Sequence, residues 1–197
     1  TTSTTQTASY FEASDLTATY DESNASKISL QGTTATVSGN GVTVNGSTVE
    51  ITKAGTYIVE GTASKVQLKV AAGKEDEVQI VFKNATLKNT EAPLLVDSAK
   101  KVILTIADGT KNEVADESTS TVKGAIYSDS DLTINGKGSL TVTGAASNAI
   151  KSKDGIRIVD ATVTTTAKKH GVAANDFVNV SGAILNLSAD EDGIHSD

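Results

Sequence analysis

The residues that could do chemistry recur at one interval. Asp154 and Asp176 are 22 residues apart, and so are Asn175 and Asp197, and His170 and Asp192. Asp190, Glu191 and Asp192 then place three carboxylates in succession before Gly193. If the chain winds with this interval, each pair lies one above the other at about 4.8 Å, the ordinary spacing of neighbouring strands. Two carboxylates at that distance repel by roughly 1 kcal/mol in water, and by about three to four times that at an effective dielectric near 20. A calcium ion takes oxygen ligands at about 2.3–2.6 Å, so an ion midway would span such a pair and remove the repulsion. Asp154, Asn175, Asp176, Asp190, Asp192 and Asp197 are therefore the candidate metal ligands, with Ca²⁺ as the expected cofactor. A plainer reading stays open: Asp154 and Asp176 as solvated turn residues, and the 190–192 turn paired with Lys168 and Lys169 on the coil beneath. The ligand spacing and closing glutamate of an EF-hand are absent.

The cations fall next to these acids. Lys151, Lys153, Lys168 and Lys169, with His170 and His195, are the candidate contacts for an anionic ligand. Lys153, stacked between Asp129 and Asn175, is the one weak candidate for a catalytic base; its acidic neighbours should raise its pKa, which opposes that role. His195-Ser196-Asp197 has the residue types of a hydrolase triad, but neighbours on a strand point to opposite faces. Zinc would need both His170 and His195; they fall three positions out of phase in adjacent coils and are expected not to stack. Gly136-Lys137-Gly138 precedes no helix and reads as a turn rather than a phosphate loop.

What must position these side chains is a repeat. Ile126, Ile150, Val172 and Ile194 open four copies with spacings of 24, 22 and 22 residues. Leu132/Ile134 recurs as Ile156/Ile158 and Val178/Val180, and Leu140/Val142 as Val163/Thr165 and Leu185/Leu187. Short alternating runs at a period in the low twenties predict an all-β fold, a right-handed parallel β-helix with three strands per coil. Upstream, Val42–Val44 and Val49–Ile51 flank Asn45-Gly46, a hairpin signal. Strands are also predicted at Tyr57–Val59, Val66–Val70, Val78–Phe82 and Val102–Ile106. Ala107–Lys123 breaks the spacing and is expected to project as a loop. Residues 28–197 form the solenoid, expected to be truncated at its C-terminal end. Residues 1–27 form a polar tail, whose Tyr10, Phe11, Leu16 and Tyr20 could cap the open N-terminal end.

With 24 Asp+Glu against 17 Lys+Arg, the net charge of −7 argues against a general nucleic-acid surface. No cysteine is present, which excludes disulfides and thiolate metal sites. No apolar run approaches a membrane span. The Ser/Thr tract TTSTTQTAS suits a linker on an extracellular or cell-surface protein.

Three motifs carry a resemblance. ITKAGTYIVEGT (Ile51 to Thr62), VILTIADGTKN (Val102 to Asn112) and DGIHSD (Asp192 to Asp197) occur in an order similar to that of a clostridial-type family of bacterial carbohydrate-binding β-helix proteins. Membership implies a right-handed β-helix, bound calcium, and affinity for acidic polysaccharide such as polygalacturonate, with cellulose as a further ligand. It also implies a distant likeness to the calcium-dependent pectate lyases of family nine. Members of that family continue for many coils beyond DGIHSD, whereas this sequence stops mid-coil. Further C-terminal coils or another copy are therefore expected to cover the end at Asp197.

The expected function is non-catalytic, calcium-dependent binding of acidic plant cell-wall polysaccharide. The alternatives are a calcium-dependent pectate lyase on the same frame, and a passive surface spacer or adhesin. With four Tyr and three Phe, and with Phe82 and Phe177 read as facing inward, a flat aromatic platform for cellulose is not expected.

Overall fold

The structure is a computed structural model and describes residues 10–197. Its twenty strands run in order β1 (Ser26–Gly32), β2 (Thr34–Ser38), β3 (Val42–Asn45), β4 (Thr48–Ile51), β5 (Gly55–Ser64), β6 (Gln67–Ala71) and β7 (Glu77–Asn89). There follow β8 (Leu94–Ser98), β9 (Lys101–Ile106), β10 (Lys111–Asp116), β11 (Gly124–Ser128), β12 (Asp131–Gly136), β13 (Ser139–Gly144) and β14 (Asn148–Ser152). The last are β15 (Ile156–Val159), β16 (Thr162–Ala167), β17 (Val172–Ala174), β18 (Val178–Ser181), β19 (Ile184–Ala189) and β20 (Ile194–Ser196). No helix occurs among the described residues.

The strands stack in parallel as a β-solenoid of about six turns. One face runs β18-β15-β12-β9-β7, a second β19-β16-β13-β10-β7, and a third β20-β17-β14-β11-β8-β6-β4-β3. The first two meet because β7 is long enough to serve both, pairing with β9 through Val78–Phe82 and with β10 through Thr86–Asn89. Asn84, at φ +56°, makes the bend between the two halves.

The repeat is borne out pair by pair. Ile126, Ile150, Val172 and Ile194 are stacked partners. Leu132, Ile156 and Val178 form a second column, and Leu140, Val163 and Leu185 a third. β-branched residues suit this arrangement, since each inward side chain packs on its equivalents in the coils above and below. The result is one continuous core from Ile28 to Ala174. The predicted hairpin is present as antiparallel β3–β4, and β1–β2 is a second antiparallel pair.

The structure departs from the sequence reading in three places. Ala107–Lys123 is a projecting loop only over Glu117–Lys123: β10 lies within the rest, paired with both β7 and β13. Its strand was hidden because Asn112 stands where Leu140 and Val163 stand in later coils, and Asp116 continues the polar position of Asn89. Both are buried and bonded to backbone, Asn112 Oδ1 accepting the Ala85 N–H at 2.8 Å and Asp116 Oδ1 the Ala145 N–H. Phe177 is outside the core; it rests against Gly155, with the Arg157 guanidinium 4.6 Å from its ring centre. A Cβ at Gly155 would come within 2.1 Å of that ring, so any other residue there would push the ring aside.

Residues 10–22 do not cross the end of the stack. They run along the outside of the first face as a strap. The Tyr10 carbonyl accepts from Arg157 and Asn179, the Asp15 and Thr17 carbonyls from Asn135, and Glu22 pairs with Lys83. Asp15 is fully buried, 3.0 Å from Lys101 Nζ and 2.6 Å from Thr133 Oγ1. The polar outer residues of β9, β12 and β15 give the strap these partners, which the apolar end of a stack could not. The part of the tail before Tyr10 lies outside the described residues.

Candidate functional site

Two corners of the third face carry the candidate ligands. The first follows β11, β14 and β17. Small inward serines shape it: Ser128 Oγ donates to the Ser130 carbonyl at 2.6 Å, and Ser152 Oγ reaches the same carbonyl at 2.9 Å. Ser152 Oγ also accepts the Asp154 N–H at 3.1 Å. These bonds turn the chain sharply and present Asp129, Asp131, Asp154 and Asp176 on successive coils. Two of the four are neutralised, Asp129 by Lys153 at 2.8 Å and Asp131 by Arg157 at 3.1 Å. Asp154 is pushed above the usual carboxylate range by partial burial, then by the charges of Asp131 and Asp176. Asp129 Oδ1 is buried without a hydrogen-bond partner. Among the described residues, no three carboxylates of this corner bring their oxygens within 4.8 Å of one another, so a shared cation there would require the side chains to close in. Asp129 was absent from the ligands expected from sequence because its column partner Lys153 is a cation.

The second corner precedes β14, β17 and β20, where Asn148, His170 and Asp192 follow one another. Asn148 fixes it, donating to the Lys123 carbonyl at 2.6 Å and accepting the His170 N–H at 3.2 Å. The imidazoles of His170 and His195 stack, with ring centres 4.2 Å apart and planes 6° from parallel. The expectation that they would not stack is overturned. Counting positions gives strand register, but His170 lies on the corner before its strand, and the chain turns there. His195 projects opposite Ala173, whose methyl group leaves the outer surface clear for both rings. Gly171 keeps the corner tight, since a Cβ there would lie 2.7 Å from the Gly193 carbonyl oxygen. His170 is held below the usual imidazole value by burial first and then by His195, against the opposing pull of Glu191.

The six expected metal ligands thus divide between the corners. Asp154, Asn175 and Asp176 belong to the first. Asp192 and Asp197 contact the imidazoles, and Asp190 is engaged by Lys168 at 3.0 Å, the pairing left open from sequence.

Between the corners lies a cleft of about 530 Å³. Lys123, Lys151, Lys169, His170, Asn175 and His195 are among its lining residues. Lys151 donates to the neutral Asn175 side chain. None of the three lysines has a carboxylate within ion-pair distance among the described residues. Lys151 is held below the usual lysine value chiefly by burial, with Lys123 and Lys169 adding to the effect against Asp197. Lys153 and Lys168, also expected to touch ligand, are paired with Asp129 and Asp190 and do not line the cleft. Lys153 is held above its usual value by Asp129, as expected. Lys123 was missed because it stands in the irregular turn before β11, off the repeat. A second cleft of about 380 Å³ under the strap is lined by Ala13, Thr17, Thr56 and Gln79 and carries no lysine.

Fold and site together define a parallel β-helix with a lysine-lined cleft on its third face. Residues 45–197 match the family described as carbohydrate-binding domain-containing protein, and the chain belongs to that family. A carbohydrate-binding domain-containing protein of Acetivibrio thermocellus is 35% identical over 137 residues, covering 65% of this chain and 48% of that protein. The chain therefore spans about half the length of that curated relative. Among solved structures, the gadolinium derivative of a polysaccharide lyase-like protein from C. thermocellum superposes with a TM-score of 0.75 at 23% identity. The match covers 88% of this chain and 94% of that one.

Proposed function

We propose that this chain is a non-catalytic, calcium-dependent binder of acidic plant cell-wall polysaccharide of the polygalacturonate class, acting at a cell surface. The observation that carries this reading is the convergence of Lys123, Lys151 and Lys169, all without carboxylate partners among the described residues, on one cleft. A uronate carboxylate supplies the missing countercharge, and Lys151 gains from it because burial first, and then its two cationic neighbours, oppose its ammonium form. Calcium at the Asp129, Asp154 and Asp176 corner would neutralise acids that otherwise repel a polyanion passing along the same face. The distant likeness to family-nine pectate lyases and the affinity for cellulose form part of the proposal. With Phe177 engaged by Arg157, ionic recognition is favoured over an aromatic platform.

Affinity electrophoresis in polygalacturonate tests it. Retardation is expected, and Lys151→Ala should weaken it about tenfold, the loss of one charge-assisted hydrogen bond. A chelator should weaken it as well. Equal mobility with and without polymer would sink the reading.

The depressed Lys151 favours one further reading, a lyase. Its neutral amine would remove the proton next to the uronate carboxylate, and the glycosidic oxygen would leave from the adjacent carbon. Lys153, ion-paired with Asp129, is the poorer base. Release of unsaturated uronide from polygalacturonate, abolished in Lys151→Ala, separates lyase from binder.

A further inference from the structure

The second corner has too many acceptors for its protons. His170 Nδ1 lies 3.3 Å from Asp192 Oδ2, and His195 Nδ1 lies 3.1 Å from the same oxygen. The far nitrogens face other carboxylates: His170 Nε2 is 3.4 Å from Glu191 Oε2, and His195 Nε2 is 3.2 Å from Asp197 Oδ1. The Asp192 N–H also points at His170 Nδ1, at 3.3 Å, which makes that nitrogen an acceptor whose single lone pair a metal would take in place of this long bond. A neutral imidazole carries one N–H, and here each is best used on the outer carboxylate, Glu191 or Asp197. Both Nδ1 lone pairs then meet the Asp192 oxygen. No lysine or arginine among the described residues lies within ion-pair distance of Glu191, Asp192 or Asp197. Protonating both rings would place two cations face to face at 4.2 Å.

We propose that His170, Asp192 and His195 bind a divalent transition-metal ion of the imidazole-preferring kind, for which Zn²⁺ is the probe. One ligand atom from each lies within 4.8 Å of the others. Tetrahedral ligands at about 2.0–2.1 Å from zinc stand roughly 3.3 Å apart, close to the separations on both sides of Asp192 Oδ2. Glu191 and Asp197 are the outer carboxylates that orient ligating histidines in such sites. Donor lone pairs lie in the ring planes, so the stacked rings cannot both address one ion without a tilt. His195, 37% exposed and held by carboxylates and by its stacking on His170, is the ring that swings, while His170 is buried on its corner. Three protein ligands leave a fourth position, and His170, His195 and Asp197 all line the lysine cleft. Imidazole donors separate this site from the all-oxygen first corner, where a hard cation belongs. The proposal does not rest on the glycan reading, because the metal alone is the ligand tested.

The full chain, stripped with EDTA and dialysed, is titrated with ZnCl₂ by calorimetry at pH 7.5, with CaCl₂ as the competing cation. One zinc per chain is expected, undisturbed by millimolar calcium. His195→Gln and Asp192→Asn should each weaken it by more than about 100-fold, and Asp197→Asn by about 10-fold, the range for an outer carboxylate. Asp154→Asn at the first corner should leave it unchanged. Co²⁺ should give the intense visible bands of a tetrahedral nitrogen–oxygen site, lost in His195→Gln. His195 is surface-placed, and circular dichroism verifies that its variant is folded. Zinc affinity unaltered by His195→Gln, full displacement by calcium, or no binding at all would each overturn the proposal.

Discussion

His170 and Lys151 owe their character to neighbours one coil away. On a single strand each would be an ordinary exposed side chain; stacking brings His170 under His195 and Lys151 into one cleft with Lys123 and Lys169. Both are pushed toward their neutral forms, burial leading in each case. Glycan binding through Lys151 should therefore be strongly salt-dependent and should weaken at high pH as its ammonium is lost. Affinity electrophoresis across pH 6 to 10 measures this, with Lys151→Arg, whose charge does not titrate there, retaining binding at the alkaline end. If wild type and Lys151→Arg decline together, another group controls the interaction.

At the scale of elements, β10 and the strap hold the site's frame. Asn112 accepts from Ala85 N and donates to Thr110 and Ser139, so Asn112→Ala strands buried backbone groups on two coils. It should cost about 1–3 kcal/mol in urea denaturation, whereas an exposed substitution such as Lys111→Ala should cost little. For the strap, burial tends to raise the Asp15 pKa, but hydrogen bonds from Thr133, the Glu12 amide and Lys101 outweigh it and lower the value. A lowered folded-state pKa means that Asp15 contributes stability above its unfolded value, and that this is lost as pH falls through the folded value. Asp15→Asn should then lower the melting temperature near pH 7, by less than the roughly 3 kcal/mol of a fully stranded buried charge because Glu12 still pairs with Lys101 at 2.8 Å, and the gap should close below about pH 4. A gap that stays constant with pH would remove the ion pair from the account.

The coils after Gly124 could be read from sequence because nearly equal coil lengths, 24, 22 and 22 residues, turn spacing directly into register. Before them, Val114 and its partner Val142 are 28 residues apart, since Glu117–Lys123 bulges outward between β10 and β11. That irregularity, with polar Asn112 and Asp116 facing inward, concealed a strand. The same turn concealed Lys123. Columns located Asp154 and Asp176, but no spacing rule tells where a corner side chain such as His170 swings. The alanine at position 173, small among Lys151 and His195 in its ladder, was the one sequence sign that two rings could share that surface.

Across the whole molecule, the solenoid converts a one-dimensional repeat into one face where two acid-bearing corners flank a lysine-lined cleft, and a long repetitive polymer matches such a face. The stack also makes its sites interdependent, because each corner borrows hydrogen bonds from the coil before it. The central claim is that the Lys123, Lys151 and Lys169 cleft holds a uronate carboxylate. A crystal structure of the chain with a short galacturonate oligomer and calcium tests it most directly. The account predicts a sugar carboxylate within hydrogen-bond distance of Lys151 and of at least one of the other two lysines. An oligomer bound on another face, with the three ammonium groups left to solvent, would contradict it.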